Sequence, residues 1–224
     1  LARDKIKYLW GLGLVLSLFA LILNQTRSAW IGLVIAISLI LFFYKSRALI
    51  LVPLLVVLFY LLSPQPIKNR ALSSFSSKGT SNELRIEYLK AGIKIIKEFP
   101  LFGTGPDTVD IVFKNPKYGL SEDAKKGVHL HNNILQTCAE RGIPTLIAWF
   151  TFIVWGFLSL LRLLKNKDTS LRLFAVSALA ALLSLFVAGL FEYNFADSEI
   201  TTLFLYMITI PFSFARFQEK KVES

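Results

Sequence analysis

Six long apolar runs constrain this chain more than any other feature of its sequence. A helix that crosses a bilayer needs about 20 largely apolar residues, within a range of about 17–25. Three runs lie in the first third of the chain and three at its end; the first and third are short and would need flanking residues to complete a crossing. The runs are Tyr8–Leu23, Ala29–Tyr44, Ala48–Leu62, Ile143–Leu164, Leu171–Leu190 and Ile200–Phe217. We therefore predict an all-α, polytopic membrane protein with six transmembrane helices.

The segment between the two groups of runs is polar and charged and has no apolar stretch of spanning length. We predict three regions: transmembrane helices in residues 1–62, a large extracytoplasmic loop in residues 63–142, and transmembrane helices with a short cytoplasmic tail in residues 143–224. Residues 73–77 are rich in serine and are predicted to be mobile.

Two helices are predicted inside the loop. Thr80 and Glu83 have the spacing of a capping box, which starts the first helix, and Pro100 ends it. The second runs from near His131 to Arg141. Gly142 is suited to terminate that helix before the next transmembrane run begins.

The distribution of basic residues predicts the orientation. Lys and Arg concentrate in the short cytoplasmic connections of membrane proteins, and long loops translocate largely regardless of charge. One set of helix ends carries Arg3, Lys5, Lys7, Lys45, Arg47, Arg162, Lys165, Lys167, Arg172, Arg216, Lys220 and Lys221. The opposite short turns carry a single basic residue, Arg27. The first set is therefore predicted to be cytoplasmic, and the net charge of +10 does not indicate nucleic-acid binding.

The sequence offers little for metal binding or disulfide formation. Cys138 is the only cysteine, so an internal disulfide and a multi-cysteine metal site are excluded. His129 and His131 form a His-x-His pair, which without further ligands is a weak zinc signal. We predict no metal and no cofactor.

Three residues are candidates for chemistry. Arg27, at the outer end of the second run, either extends to lipid headgroups beside Trp30 or binds a phosphate or carboxylate with its fixed donors. Arg85, in the first turn of the loop helix, is either a solvated surface residue or a second anion ligand. His131 is suited to general-base catalysis, because a histidine of ordinary pKa is largely neutral at pH 7.

Several motifs occur together in one order. Thr26-Arg27-Ser28-Ala29-Trp30 opens a transmembrane run. The loop carries Arg-x-x-Tyr-x-x-x-Gly from Arg85, Pro-Leu-Phe-Gly-x-Gly from Pro100 and His-Asn-Asn-x-Leu from His131, and Glu-Arg-Gly-Ile-Pro leads into the next run. The combination resembles the O-antigen ligase family, which includes O-antigen polymerases and teichuronic-acid polymerases.

The resemblance implies a function and a fold. Family members transfer a glycan from undecaprenyl diphosphate to an acceptor hydroxyl at the outer face of the bacterial inner membrane, and they are similar to class C glycosyltransferases. Metal-independent, inverting transfer is implied, with Arg27, Arg85 and His131 at the positions of the family's essential residues. Complete members have around a dozen spans, so we expect this chain to be a C-terminal half.

The expected partners are an undecaprenyl-diphosphate-linked glycan, a lipid A-core or other glycan acceptor, and membrane lipid, with no nucleic acid. Arg27 and Arg85 would clamp the diphosphate and His131 would accept the proton of the acceptor hydroxyl. Trp30, Tyr88 and Asn132 are predicted to contact the substrate. His129 has no assigned counterpart and is left out of the catalytic set.

Three alternatives remain open. An O-antigen or capsule polymerase would use a second lipid-linked repeat as acceptor, and the sequence does not separate it from a ligase. A transporter or flippase for the same lipid would place ionisable residues near the centre of several spans, and the span centres here are nearly free of charge. A scaffolding role would not explain the presence of Arg27 in a short outer turn.

Overall fold

The structure, a computed structural model, describes residues 2–73 and 80–223, with side chains described except at residues 2–5, 80 and 221–223. Every regular element in these ranges is helical. The α-helices are α1 (Ala2–Asn24), α2 (Arg27–Tyr44), α3 (Leu51–Leu62), α4 (Gln65–Leu72), α5 (Thr80–Glu98), α6 (Val109–Phe113), α7 (Asn133–Leu163), α8 (Thr169–Ala188) and α9 (Ser198–Glu223). Short 3₁₀ helices cover Ser46–Ile50, Pro116–Tyr118 and Ala124–Lys126.

Five of the described helices are long and apolar enough to cross a membrane, namely α1, α2, α7, α8 and α9. The all-helical prediction is confirmed, and the chain is a multi-pass membrane protein. The third predicted span is a shorter apolar helix over Ser46–Leu62. Pro53 explains its irregular start, because a proline has no N–H to donate and fits only the first turn of an α-helix. The α-helix accordingly begins at Leu51, after a tighter 3₁₀ turn.

Helix α8 lies at the centre of the apolar bundle and packs against α2, α7 and α9. Gly32 permits close approach to α2: the Ser184 hydroxyl donates to the Gly32 carbonyl at 2.7 Å, and a Cβ on Gly32 would lie 3.2 Å from the Ser184 carbonyl oxygen. On the α7 and α9 sides, α8 contributes to a buried apolar core of Ile153, Leu160, Ala178, Leu179, Leu182, Phe204 and Ile208.

The segment between α4 and α7 has a small core of its own. Helix α5 buries one face against α6, two 3₁₀ turns and the start of α7. The buried residues are Tyr88, Ala91, Ile95, Val109, Phe113, Tyr118, Leu120, Ala124, Leu130 and Ala139. This core gives α5 and the start of α7 a fixed relative position, and both elements carry predicted site residues.

Gly142 separates the two parts of α7, as the sequence predicted for the end of the loop helix. Its φ of +81° interrupts the helical backbone, and the Leu101 carbonyl oxygen lies 2.0 Å from the place that a Cβ would occupy. Glycine is therefore required there on both conformational and steric grounds. The capping side chain of Thr80 and the predicted mobile residues 74–77 lie outside the described residues.

Candidate active site at the loop end of the helices

Two histidines share one carboxylate where the loop meets the helix bundle, a region that we call the loop end. His131 Nδ1 lies 2.6 Å from Glu192 Oε1, and His129 Nε2 lies 3.2 Å from the same oxygen. The two imidazole rings lie 4.1 Å apart, centroid to centroid. The histidines precede α7 and Glu192 follows α8, so the cluster joins elements that are distant in sequence.

Asn133 holds these two segments together. Its backbone N–H donates to the Gly189 carbonyl at 2.7 Å, and its side-chain oxygen accepts from the backbone N–H groups of Asn194 and Phe195. Its side-chain amide also donates to Asn194 Oδ1 at 2.8 Å. Only 2% of Asn133 is exposed. This buried side chain therefore fixes the segment that carries Glu192 against the start of α7.

His131 has a strained backbone and a packed ring. Its φ of +50° is in the left-handed region, which a residue with a side chain adopts at a cost on the order of 1–3 kcal/mol. Its ring lies 5.7 Å from that of Tyr88, which stacks in turn on Phe113 at 5.2 Å. Such strain concentrates at functional sites, where the surrounding packing maintains it.

The electrostatics of Glu192 define the hydrogen-bonding state of His131. Burial alone would raise the pKa of Glu192, but hydrogen bonds from His129 and His131 outweigh it and hold the pKa well below its usual range. An ionised carboxylate only accepts hydrogen bonds, so His131 Nδ1 must carry the hydrogen. In a neutral ring Nε2 is then left as the acceptor. Burial also raises the pKa of neighbouring Tyr193 to about 12, so this side chain stays uncharged.

Arg85 and Arg27 bring positive charge to the same end of the helices. Arg85 Nη2 lies 3.6 Å from Glu192 Oε2, the carboxylate oxygen opposite the one that contacts the histidines. Arg27 reaches from the start of α2 to the neutral oxygens of Ser73 and Asn82, at 3.3 and 3.2 Å.

Both Arg70 and Arg85 repel Arg27 electrostatically. We call Arg27, Arg70 and Arg85 the arginine group. Arg70 is itself fixed by a 3.3 Å hydrogen bond from its Nε to the Gln25 carbonyl. Positive charge from two other arginines around Arg27 favours an anionic ligand, and guanidinium donors match the oxygens of a phosphate.

The other predicted substrate contacts have structural partners. Trp30 donates to the Leu21 carbonyl of α1 and packs on Phe59 of α3, which places it among the apolar helices. Tyr88 is only 3% exposed, so stacking on a sugar would require its packing to open. Asn132 caps α7 by accepting from the Leu135 N–H, and its amide donates to the Leu190 carbonyl. Their contacts with substrate stay predictions.

His129, His131 and Glu192 are also the candidate metal ligands among the described residues, since their ligand atoms lie within 4.8 Å of one another. Two ligands of a tetrahedral zinc at about 2.0–2.1 Å would be roughly 3.3 Å apart. The 2.6 Å separation of His131 Nδ1 from Glu192 Oε1 is instead a hydrogen-bond distance. The expectation of no metal stays a prediction.

Sequence reasoning missed three members of the site. Glu192 lies in a short turn and in no motif, and His129 was left out of the predicted catalytic set. Arg70 carried no motif. The signal available for Glu192 was that an acid in the last short turn is on the same predicted side as His131.

The fold and the site define a multi-pass helical membrane protein with a histidine–carboxylate cluster and an arginine group at one end of its helices. Residues 12–150, more than half of the chain, match the O-antigen ligase (Wzy_C) family, and the chain belongs to this family. The resemblance seen in the motifs is thereby confirmed. Glu192 lies beyond the matched segment.

An uncharacterized protein of Haemophilus influenzae is similar to this chain, with 27% identity over 176 residues. The similar region is 70% of this chain and 43% of that protein. The chain therefore spans less than half the length of this relative.

Proposed function

We propose that this chain forms part of a bacterial inner-membrane glycosyltransferase that transfers a glycan from undecaprenyl diphosphate to an acceptor hydroxyl. The observation that carries the proposal is the Glu192–His131 hydrogen bond, with Arg85 on the other carboxylate oxygen. It supplies an oriented base beside cationic donors, which are the two groups that transfer from a lipid diphosphate needs.

The arginine group is proposed to bind the diphosphate of the donor. Arg27 opens α2, so its guanidinium lies at the boundary of the apolar bundle, where a lipid-linked phosphate would also lie. Arg85 approaches from the loop. Negative charge builds up on the leaving diphosphate as the sugar departs, and fixed guanidinium donors stabilise that charge more than they stabilise the ground state. A bound anion would also offset the repulsion that Arg70 and Arg85 exert on Arg27.

His131 Nε2 is proposed to accept the proton of the acceptor hydroxyl. Glu192 holds Nδ1 protonated, which leaves Nε2 as the basic atom, and it also stabilises the imidazolium that forms. The deprotonated hydroxyl oxygen then attacks the anomeric carbon as the bond to the diphosphate breaks. A single displacement of this kind inverts the anomeric configuration, and we propose that it proceeds without a metal or other cofactor.

We further propose that six helices cross the membrane and that residues 63–142 lie on the extracytoplasmic side. The 3₁₀ turn and α3 together have a length of about 28 Å, at about 2.0 and 1.5 Å per residue, close to the roughly 30 Å hydrocarbon core. The contact of Arg27 at the start of α2 with Ser73, beyond α3, supports a hairpin whose two ends are on one side. The concentration of basic residues at the other ends supports the orientation.

A ligase and a polymerase differ in the acceptor to which they transfer the glycan. The decisive experiment gives the purified whole protein an undecaprenyl-diphosphate-linked glycan, either with lipid A-core or alone, and resolves the products by size. A single shifted lipid A-core product would establish a ligase, and a ladder from donor alone would establish a polymerase. The matched control is the His131→Ala variant, which should form neither product.

The same experiment tests the alternative of a transporter. If the protein forms no product with either acceptor, while labelled carrier lipid crosses a vesicle bilayer in its presence, the enzyme proposal is wrong. That result would support a transporter of the same lipid instead.

A further inference from the structure

Helix α5 has an apolar face that the loop core does not use. Its buried face is formed by Tyr88, Ala91 and Ile95. Ile86, Leu89 and Ile93 follow one another at spacings of three and four, so they share one helix face, and they are 45%, 46% and 43% exposed. At 100° per residue this face is roughly opposite the buried one. We call these three residues the α5 stripe.

Both ends of α5 are tied to the starts of long apolar helices. Near its first turn, Asn82 Oδ1 accepts from Arg27, the first residue of α2. Just after its last turn, the Pro100 carbonyl accepts from the N–H of Ile143 at 2.8 Å, where the apolar part of α7 begins. A 19-residue helix is about 28 Å long, so α5 extends along the boundary of the apolar bundle instead of projecting away from it.

The turn after α5 extends the exposed apolar surface. Leu101 and Phe102 are 62% and 85% exposed, although their backbone is firmly held. A Cβ on Gly103 would lie 2.2 Å from the Glu140 carbonyl carbon, and the N–H of Gly103 donates to the Phe99 carbonyl. The turn therefore holds two large apolar side chains in the open, beside the apolar part of α7, where Ile143 is also exposed.

Basic residues border the α5 stripe. Lys90 follows Ile86 by four residues and Lys97 follows Ile93 by four, so both lie along the same edge of the stripe, and both are exposed. An apolar face edged by lysines is the pattern of helices that lie in the headgroup region of a bilayer, where the lysines meet lipid phosphates. Contiguous exposed apolar surface of this kind marks an interaction site.

We propose that the α5 stripe and the Leu101–Phe102 turn rest in the headgroup boundary of the membrane on the loop side. The loop core then lies above α5 and the bilayer below it. Because Arg85 is on α5, the depth of this helix also determines the height of the arginine group relative to the lipid surface. This inference does not depend on glycosyl transfer.

Spin labels can measure the depth of this surface in the whole protein, reconstituted in liposomes that contain anionic lipid. Cys138 is 3% exposed, and Cys138→Ala provides a background without competing thiols. Single cysteines are introduced by Leu89→Cys, Ile93→Cys and Phe102→Cys. The matched controls are Ile111→Cys and Val128→Cys, at apolar residues of 63% and 67% exposure that are on other parts of the loop core. Collisions with oxygen and with a water-soluble nickel chelate are then compared.

We expect labels at 89, 93 and 102 to be relaxed severalfold more by oxygen than by the nickel chelate, because oxygen partitions into lipid. Labels at 111 and 128 should show the reverse. Relaxation by the nickel chelate at 89 and 93 equal to that at 111 would overturn the proposal, since the stripe would face water. Exclusion of both reagents at 89 and 93 would also overturn it, since another protein segment would cover the stripe.

Discussion

Glu192 Oε1 accepts a hydrogen bond from His131 Nδ1 at 2.6 Å, although the two residues are 61 positions apart in the chain. The same oxygen lies 3.2 Å from His129 Nε2, and the other carboxylate oxygen faces Arg85. One acidic side chain therefore contacts both histidines through one oxygen and Arg85 through the other.

Replacing Glu192 should change how stability depends on pH. The pKa of Glu192 is lower in the folded protein than its ordinary value of about 4.5, so the folded form binds fewer protons than the unfolded form as pH falls. The stability that ionised Glu192 contributes is fully present above about pH 4.5, and it is lost as the pH falls from there through the lower pKa of the folded protein. Glu192→Gln should lower the free energy of unfolding at neutral pH by an amount on the order of 1–2 kcal/mol. The variant should also lose less stability than the wild type when the pH is lowered. Thermal unfolding in mild detergent from neutral pH to below pH 4.5 measures both effects.

Glu199→Gln is the matched control for this measurement, because Glu199 is an exposed acid in the first turn of α9. An acid dependence of Glu192→Gln that matches the wild-type curve would contradict the lowered pKa of Glu192 in the folded protein.

The two histidines should differ in their effect on activity. His131→Ala removes the proposed base and should slow glycan transfer by about 10²–10⁴-fold, the range typical of general-base catalysis. His129→Ala leaves that base and its carboxylate in place and should slow transfer far less. Initial rates of product formation with both variants test this, with unfolding temperatures measured in parallel. Equal losses in the two variants would show that neither residue acts alone as the base.

Arg85→Lys tests the shape of the cationic site as distinct from its charge. Lysine keeps the positive charge but lacks the planar pair of donors that matches two phosphate oxygens. Losing one charge-assisted hydrogen bond, about 1.5–3 kcal/mol, should reduce transfer by roughly 10–100-fold. Arg172→Lys, the same change at the start of α8, is the control and should leave the rate unchanged. Near-normal transfer by Arg85→Lys would mean that only charge matters at this position.

Gly142→Ala should destabilise the junction between the loop core and α7. Alanine is strained at a φ of +81°, and its Cβ would meet the Leu101 carbonyl, so a loss of at least about 1 kcal/mol is expected. Gly13→Ala is a matched control in α1, where a Cβ would have no neighbour within 4 Å. That change should be neutral or stabilising, because alanine favours helix by about 1 kcal/mol. Thermal unfolding of both variants provides the comparison, and equal unfolding temperatures would contradict the steric account.

The helical class of the fold was accessible from sequence because long apolar runs report directly on membrane helices. The length of α3 could not be predicted from hydropathy alone. Pro53 fits only the first turn of an α-helix, so the regular helix begins at Leu51. The kink at Gly142 could be predicted, since a glycine between two helical patterns is a local signal.

Only part of the candidate site could be predicted from the sequence. Arg27, Arg85 and His131 could be predicted as candidates because each lies in a short motif, and their roles stay predictions. Glu192 was not assigned a role, because its partners are 61 and 63 residues away and no local pattern encodes a contact over that distance. The exposed α5 stripe was also overlooked, since its residues fit the same helical periodicity as the buried face.

The Asn133 junction has a consequence for the biosynthesis of this protein. Asn133 and His131 leave the ribosome some 60 residues before their partners around Glu192. At roughly 5–20 residues per second, that interval lasts on the order of several seconds. Throughout it, α7 and α8 are synthesised while the histidines lack the Glu192 carboxylate that holds them. A nascent or prematurely terminated chain that ends before Glu192 thus contains the matched family segment but lacks the means to orient its base.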